Sequence, residues 1–412
     1  MIKIGLDVHV RNSFIHATDQ SGRVLVKGRC GNTLAELAEM LAPVEAAARA
    51  PGVGGGSGGG SGSGSGVGSG GGSGGEPVRA VLESTTNSRP IQLLLERYGR
   101  EAGIDLTAQV LDARKLAIIA ASVCKCDKLD AAVLNELAGS NLRLPVCYMP
   151  DDEVFALREH LRSRSDLVRV RTMLKNRCHA LLHRRGMLRP PGLDAFTRGG
   201  RAWLSQLSLD EAGRTVLDRL LGLVDELDGS LKESERDLRG QAKRERWCKS
   251  VALLETMPGV GLITALTILA ELGDIDRFHG RDAVANYAGL VPVIRSSNEK
   301  HWSGGITHRG PQHLRAVLVE SAWVGMSKAP AYAALYERVK TKSCAPKAIV
   351  AVARRMLEDA WTMLKKGEPF RYAAPSPEGS GRAARPGVRQ EQKEAFTPGS
   401  AEETVLANRA TG

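Results

Sequence analysis

Four carboxylates and a pair of adjacent serines are the residues of this chain whose types and spacing could do chemistry. Asp7 sits inside the apolar alternation Ile4, Leu6, Val8, Glu83 closes the run VRAVLE, and Asp127 and Asp130 stand three apart in KCDKLDA. A carboxylate this close to a core is costly unless a cation or hydrogen-bond donors meet it. Residues three apart on a helix share a face, so the last two acids act from one side. Any one of the four alone reads as a helix cap or a surface charge. Together they form a layout that holds magnesium, with manganese as a substitute. Hard divalent ions take several oxygen ligands and leave positions for phosphates, so the chemistry implied is metal-assisted work on a phosphodiester.

The serines lie in RSSNEKHWSGGITHRG, residues 295–310, a polar stretch between AGLVPVI and LRAVLVESAW that reads as a loop. An isolated hydroxyl is a poor nucleophile and most loop serines are merely solvated. Here Arg295, Lys300, His301, His308 and Arg309 surround them with groups able to neutralise a phosphate, and the glycines permit close approach. On residue chemistry alone Ser296, Ser297 and Ser303 all stand as candidates.

Several elements must position these groups. MIKIGLDV, SFIHAT and RVLVKG alternate as half-buried strands, the last two parted by the turn signal DQSG, so a three-stranded meander is expected. TLAELAEMLAPVEAAAR has helical spacing with Asn32 or Thr33 as its cap. From Gly52 to Gly75 the chain holds only Gly, Ser and two Val, a low-complexity insertion or linker excluded from fold reasoning. Beyond it the strand VRAVLEST, the helix PIQLLLERYGREAG, a strand around LTAQVLD and a helix from near Cys126 complete the order βββαβαβα. That order indicates a mixed α/β domain over 1–150, with the insertion at 52–75.

Residues 151–245 read as two long amphipathic helices. Leu167, Val170, Leu174, Cys178 and Leu181 step along the first, and Leu220, Leu223, Leu227, Leu231 and Leu238 along the second, so an antiparallel or intermolecular coiled coil is expected. Between Arg158 and Arg189 ten Lys or Arg stand against two acids, an imbalance that makes a nucleic-acid surface as good a reading as a solvated face. Its candidate contacts are Arg162, Arg169, Arg171, Lys175, Arg177, Arg184 and Arg185. Residues 246–372 are helical around a PGVG turn and the serine stretch, and 373–412, rich in Gly, Pro, Glu and Arg, is expected to be disordered.

The bulk numbers agree. A chain of 412 residues predicts two or three domains, and a net charge of +11 points to a polyanionic partner. No apolar run reaches the roughly 18 residues that would span a bilayer, and the N-terminus lacks signal-peptide organisation, so a soluble cytoplasmic, nucleoid-associated protein is expected. The seven cysteines are scattered and lack paired zinc spacing, Cys124 and Cys126 included, and read as reduced thiols.

GLDVH, the Glu of VLEST and CDKLDA resemble the DEDD tetrad of the RuvC-like, ribonuclease-H-like domain of DEDD insertion-sequence transposases, a family of bridge-RNA-guided recombinases. MPGVGLITALTILAELGDIDRF, YAGLVP and GGITHRGPQHLRAVLVESAW resemble the same family's helical C-terminal transposase domain. The resemblance runs in order through most of residues 1–370 apart from the insertion. It implies magnesium on Asp7, Glu83, Asp127 and Asp130, and a serine nucleophile shortly after GLVP that attacks DNA. That serine falls on Ser297, followed by Asn298 where the family usually has glycine. PGVG resembles a helix-hairpin-helix turn in which Gly259 and Gly261 let backbone N–H groups approach a phosphate, or else is a tight turn between helices. Also implied are donor and target DNA, a guide RNA that supplies specificity by base pairing, and a homo-oligomer, dimer or tetramer, in which the acids of one subunit complete the serine site of another. The competing expectation is a RuvC-like nuclease that cuts with metal-activated water. A third, a non-enzymatic nucleic-acid scaffold, must leave Asp7 unexplained.

Overall fold

A computed structural model describes residues 1–50, 75–113, 127–297, 300–307 and 310–371, with the backbone alone at 127–129, 294–297 and 300–303. Most of the Gly/Ser insertion, Cys124, Cys126, His308, Arg309 and the C-terminal tail lie outside the described residues. Contacts divide the chain into two compact units, Met1–Ser163 and Arg164–Gly412.

The first unit runs β1 (Ile2–Val8), β2 (Asn12–Thr18), β3 (Val24–Gly31), α1 (Leu34–Arg49), β4 (Val78–Glu83), α2 (Ser88–Glu101), β5 (Leu106–Leu111) and α3 (Asp127–Gly139), as the sequence patterning anticipates. The strands form one sheet in the order β3-β2-β1-β4-β5. The meander β1-β2-β3 is antiparallel, and β4 and β5 add parallel to β1. Alternation decides the faces. Ile2, Ile4, Leu6 and Val8 pack with Val78, Ala80 and Leu82 against α1 and α2. The opposite face, through Val81 and Leu111, packs on Leu134, Leu137 and Ala138 of α3. Thr33 caps α1, its hydroxyl accepting from the Glu36 N–H at 3.3 Å, which leaves Asn32 for another task.

Gly5 lets α3 lie flat on the sheet. A Cβ there would sit 2.0 Å from the Ala131 carbonyl oxygen and 2.4 Å from the Asn135 nitrogen. Asn135, 3% exposed, fixes the dock: its Nδ2 donates to the carbonyls of Lys3 (2.7 Å) and His16 (3.0 Å), and its Oδ1 accepts from the Thr18 hydroxyl (2.9 Å).

The long helix α4 (Asp152–His183) begins in the first unit and continues into the second, which then runs through α5 (Arg198–Gln206), α6 (Glu211–Ala242), α7 (Glu245–Glu255), α8 (Leu262–Leu272), α9 (Arg281–Tyr287), β6 (Pro292–Ser297), β7 (Lys300–Ile306), α10 (Gln312–Lys328), α11 (Pro330–Lys342) and α12 (Ala345–Lys366). Ion pairs between α4 and α6 show their orientation: Arg164 meets Glu235 at 2.6 Å and Arg171 meets Asp228 at 2.7 Å, one number rising as the other falls. The coiled coil is therefore antiparallel and internal to the chain. Its buried stripe on α6 is Leu217, Val224, Leu231 and Leu238, seven residues apart. Of the leucines expected in the seam, Leu231 and Leu238 are buried and Leu220 and Leu227 half-buried, with Leu220 packed beside Leu217, whereas Leu223 is 47% exposed.

Beyond the coiled coil a helical bundle surrounds α8, whose residues Ala265 to Leu272 are all buried. A second difference from expectation lies between α9 and α10. The polar stretch read as a loop is an antiparallel hairpin, β6 with β7, bulged between Pro292 and Ile294. Its strands lack an apolar alternation; what organises them is backbone pairing.

Candidate active site

The β1–β4 register pairs Lys3 with Arg79, Gly5 with Val81 and Leu6 with Leu82. Carried one residue further, it sets Asp7 beside Glu83 on neighbouring strands, on the face that α3 covers. α3 runs antiparallel to β1, with Gly139 against Lys3 and Ala131 and Asn135 against Gly5. Its first turn, which holds Asp127 and Asp130, therefore comes to the same C-terminal edge of the sheet as Asp7 and Glu83. The N-terminus of a helix favours negative charge, which eases the crowding of four acids.

The backbone at this edge is clamped. Asp7 is largely buried, its side chain 14% exposed, and its Oδ2 lies 3.1 Å from His9 Nε2, the cationic or donor partner that its burial demands. The His9 carbonyl accepts from Asn32 Nδ2 at 2.8 Å and from Asn87 Nδ2 at 3.2 Å, so the chain leaving β1 is held from two sides. The buried Ser88 hydroxyl donates to the Glu83 carbonyl at 3.0 Å. Glu83 and Asp130 are half-buried. Among the described residues no three His, Cys, Asp or Glu side chains are gathered tightly enough to grip an ion, the Asp127 carboxylate being outside them. The donor set, carboxylate oxygens only, fits a hard divalent cation rather than zinc.

The serines stand on the hairpin. Its register pairs Arg295 with Trp302, Ser296 with His301 and Ser297 with Lys300. Paired residues share a face and successive residues alternate, so Ser297 shares one face with Arg295 and Lys300, while Ser296 shares the other with His301 and Ser303. The exit of the hairpin is locked at Gly310. Its φ is +79°, and a Cβ there would fall 1.8 Å from the Tyr287 carbonyl oxygen. Arg315 ties the same corner, donating from Nη1 to the carbonyls of Ala288 (3.0 Å) and Gly310 (3.2 Å), and burial holds its pKa below the usual guanidinium range.

The PGVG turn joins α7 to α8. Gly259 has φ +85°, and a Cβ would meet the Ser321 carbonyl oxygen at 2.3 Å and the Gly325 nitrogen at 2.7 Å. Close packing on α10 thus accounts for that glycine. Gly261 faces open space at the uncapped start of α8.

On α4 the structure sorts the expected arginines. Arg171 and Arg185 pair with Asp228 and Asp210 of the second coiled-coil segment, and Lys175 lies over the Phe196 ring at 4.8 Å. Arg162, Arg169 and Arg177 are exposed along one stripe of α4, and Arg184, also exposed, follows just past the helix end with its N–H still bonded to the Ala180 carbonyl at 3.1 Å. Glu159 and Asp166 on the same helix approach the first two.

Comparison with known proteins follows this division. Residues 71–185 match a family model of DEDD-type transposases of the IS110 group, and residues 251–337 match the transposase IS116/IS110/IS902 family. A transposase for insertion sequence element IS1111A from Coxiella burnetii is 30% identical over 237 residues, which cover 52% of this chain and 60% of the relative. A probable family 20 transposase from Pseudomonas aeruginosa is 27% identical over 60% of this chain and 75% of the relative. A pilin gene-inverting protein from Moraxella bovis is 30% identical over 29% of this chain and 38% of the relative. Two segments of the chain are thus similar to transposases of the IS110/IS116 group, and two of these three relatives are named as transposases.

The match spans less than two thirds of the Coxiella transposase. The first family segment contains Glu83, Asp127, Asp130 and the basic α4 stripe, and the second contains the PGVG turn and Ser297. Asp7 precedes both, so in this transposase-like chain its place beside Glu83 rests on strand register. Of the residues that hold the site together, Gly5, His9, Asn87, Asn135, Gly310 and Arg315 were not singled out from the sequence, and Asn32 was weighed there only as a helix cap. Two carried a signal. A glycine inside a strand marks a close approach, and an asparagine amid VLNELA marks a buried polar dock.

Proposed function

We propose that this chain is an RNA-guided DNA recombinase that mobilises an insertion sequence, cutting and rejoining strands through a covalent phosphoserine link. The observation that carries the reading is the β1–β4 register, which puts Asp7 beside Glu83 at the edge reached by the first turn of α3. Asp7, Glu83, Asp127 and Asp130 would hold magnesium there. Bound there, magnesium would supply positive charge to a phosphate oxygen.

Ser297 Oγ forms a bond to phosphorus as the bond from phosphorus to a deoxyribose oxygen breaks. The serine proton is lost and the departing oxygen gains one. Arg295 and Lys300, on the same hairpin face as Ser297, neutralise the phosphate. The phosphodiester energy stays in the serine link, so rejoining needs no ATP. That face-sharing supports Ser297 over Ser296, and His308 and Arg309 follow on the same stretch. The exposed stripe Arg162, Arg169 and Arg177, with Arg184 just past the helix end, grips nucleic-acid backbones, with guide-RNA pairing supplying specificity. The active form is a homo-oligomer. The Moraxella relative is named for inverting a gene, and inversion likewise requires breaking and rejoining DNA.

A second reading has one feature in its favour: all four acids belong to one compact unit, sufficient for a nuclease that cuts with water. Incubation of Ser297→Ala with labelled donor and target DNA and magnesium separates the two. The recombinase loses both the covalent protein–DNA adduct and strand transfer, whereas the nuclease still cuts. Asp7→Asn stops either enzyme.

A further inference from the structure

A cavity of about 630 Å³ lies in the second unit between α11, α12 and the segment Gly367–Arg371, away from the hairpin and the α4 stripe in sequence. Its wall is apolar where Leu335, Met363 and Phe370 line it. Phe370 is held in place, its N–H donating to the Thr256 hydroxyl at 3.0 Å and its ring centroid 5.7 Å from that of the buried Tyr332. Around this wall stand Arg281, Arg338 and Lys366. None of the three has a carboxylate partner among the described residues. Arg281 spends only its Nε, on the Thr362 hydroxyl at 3.1 Å.

Both acids that line the cavity are already paired: Glu368 meets Arg371 at 2.9 Å, and Asp359 is held more deeply. Asp359 accepts from Arg355 Nε at 3.0 Å and from the Tyr332 hydroxyl at 3.1 Å, with its side chain 16% exposed. Burial, then the nearby Asp359, pushes the Tyr332 hydroxyl far above its ordinary range, so it stays protonated as a donor. A carboxylate paired in this way does not repel an anion as an isolated one does, and its remaining lone pairs can accept from an amino group.

An aromatic wall, three cations without acid partners and one fixed acceptor match the three parts of a nucleotide: a flat base, a phosphate and an exocyclic amine. The volume suits a ligand of that size. We propose that this cavity binds a single nucleotide unit, its base against Phe370 and its phosphate on Arg281, Arg338 and Lys366. The ligand is either a base splayed from a DNA or RNA strand or a free nucleotide. The assignment needs no covalent chemistry and so stands or falls separately from the serine reading.

The test uses the full chain with two probes: a single strand of about twelve nucleotides, within the length that one such surface engages, carrying a photoreactive thiothymine, and free dAMP with its azido analogue. The double variant Arg338→Glu/Lys366→Glu alters exposed side chains and should leave the melting temperature unchanged. If the source is a strand, the crosslink maps to the peptide holding Phe370. The double variant then weakens strand binding by about tenfold or more, with the salt slope falling by about 0.7 for the one phosphate that is no longer neutralised. If the source is a free nucleotide, the azido analogue labels the same peptide, dAMP protects it and the strand does not compete. Crosslinks from both probes confined to other peptides, with strand affinity in the double variant within about twofold of the parent's, would overturn the assignment. Formation of the serine–DNA adduct is scored apart from these readouts, so failure of one proposal leaves the other intact.

Discussion

The acid edge of the first unit and the serine hairpin of the second are built in opposite ways. Asp7 and Glu83 leave the middle strands of a five-stranded sheet with packed side chains on both faces, and the carbonyls beside them are clamped by Asn32, Asn87 and Ser88. Ser297 stands on a sheet of two strands, and at its base Val291, Pro292, Val293, Gly304, Gly305, Ile306 and Thr307 are half-buried or exposed. Carboxylates that must share an ion need fixed spacing and a dry flank, which a layered core supplies. A hydroxyl that must meet a polymer needs reach, which a hairpin anchored at Gly310 and Arg315 supplies.

The largest expected effect tests the hairpin. Ser297→Ala should lower strand transfer on the order of 10⁴-fold or more, as loss of a nucleophile does, while Ser296→Ala, on the opposite face, should fall far short of that. Equal losses in a single-turnover assay would erase the face assignment.

Next come the two glycines that admit close backbone approach. Gly5→Ala should destabilise the first unit by about 3 kcal/mol or more in urea unfolding, because the obstacle is main chain that cannot turn aside. Gly310→Ala should reduce strand transfer with a smaller loss of global stability, since it displaces a corner rather than a core helix. A stability loss as large at Gly310 would show the hairpin to be as firmly built into its unit as the acid edge.

Asn135→Ala removes the polar dock of α3 and should cost about 2 to 4 kcal/mol, read by the same unfolding curves. His16, on β2 beneath that helix, gives a smaller and pH-dependent effect. Burial, and then Lys27, holds its pKa below the usual 6.5, and neither ring nitrogen has a hydrogen-bond partner among the described residues. The unfolded chain therefore binds this proton more readily than the folded one. Stability is full above pH 6.5 and declines as pH falls below it. The melting temperature of the first unit should drop between neutral pH and the acid side of that value, and His16→Gln should flatten the drop. Smallest of all, Asp228→Asn should cost about 0.5 kcal/mol, since its pair with Arg171 is partly solvated.

Much of this molecule was legible before any coordinates. The order βββαβαβα, the two long amphipathic helices and the PGVG turn follow from periodicity and punctuation, which are local properties. The hairpin was not legible, because residues 292–306 carry no apolar alternation and their pairing is a matter of backbone hydrogen bonds. The seam of the second coiled-coil helix was legible at Leu231 and Leu238 and partly at Leu220 and Leu227, but not at Leu223, which is exposed: leucine spacing names a stripe, and the neighbouring helix decides how much of it is covered. The charge excess on α4 was correct as a count yet silent on use, since only the ion pairs to Glu235, Asp228 and Asp210 separate structural arginines from exposed ones.

By itself, the amino-acid sequence determined which side chains can do chemistry and which segments become strands or helices, because both depend on residue type and short-range spacing. Only the tertiary structure decided that Asp7 stands beside Glu83, that α3 brings Asp127 and Asp130 to the same edge, and that Ser297 rather than Ser296 shares a face with Arg295 and Lys300. Strand register and helix docking are set by contacts between residues far apart along the chain, and a single-residue slip in either would move each of these groups to the wrong side.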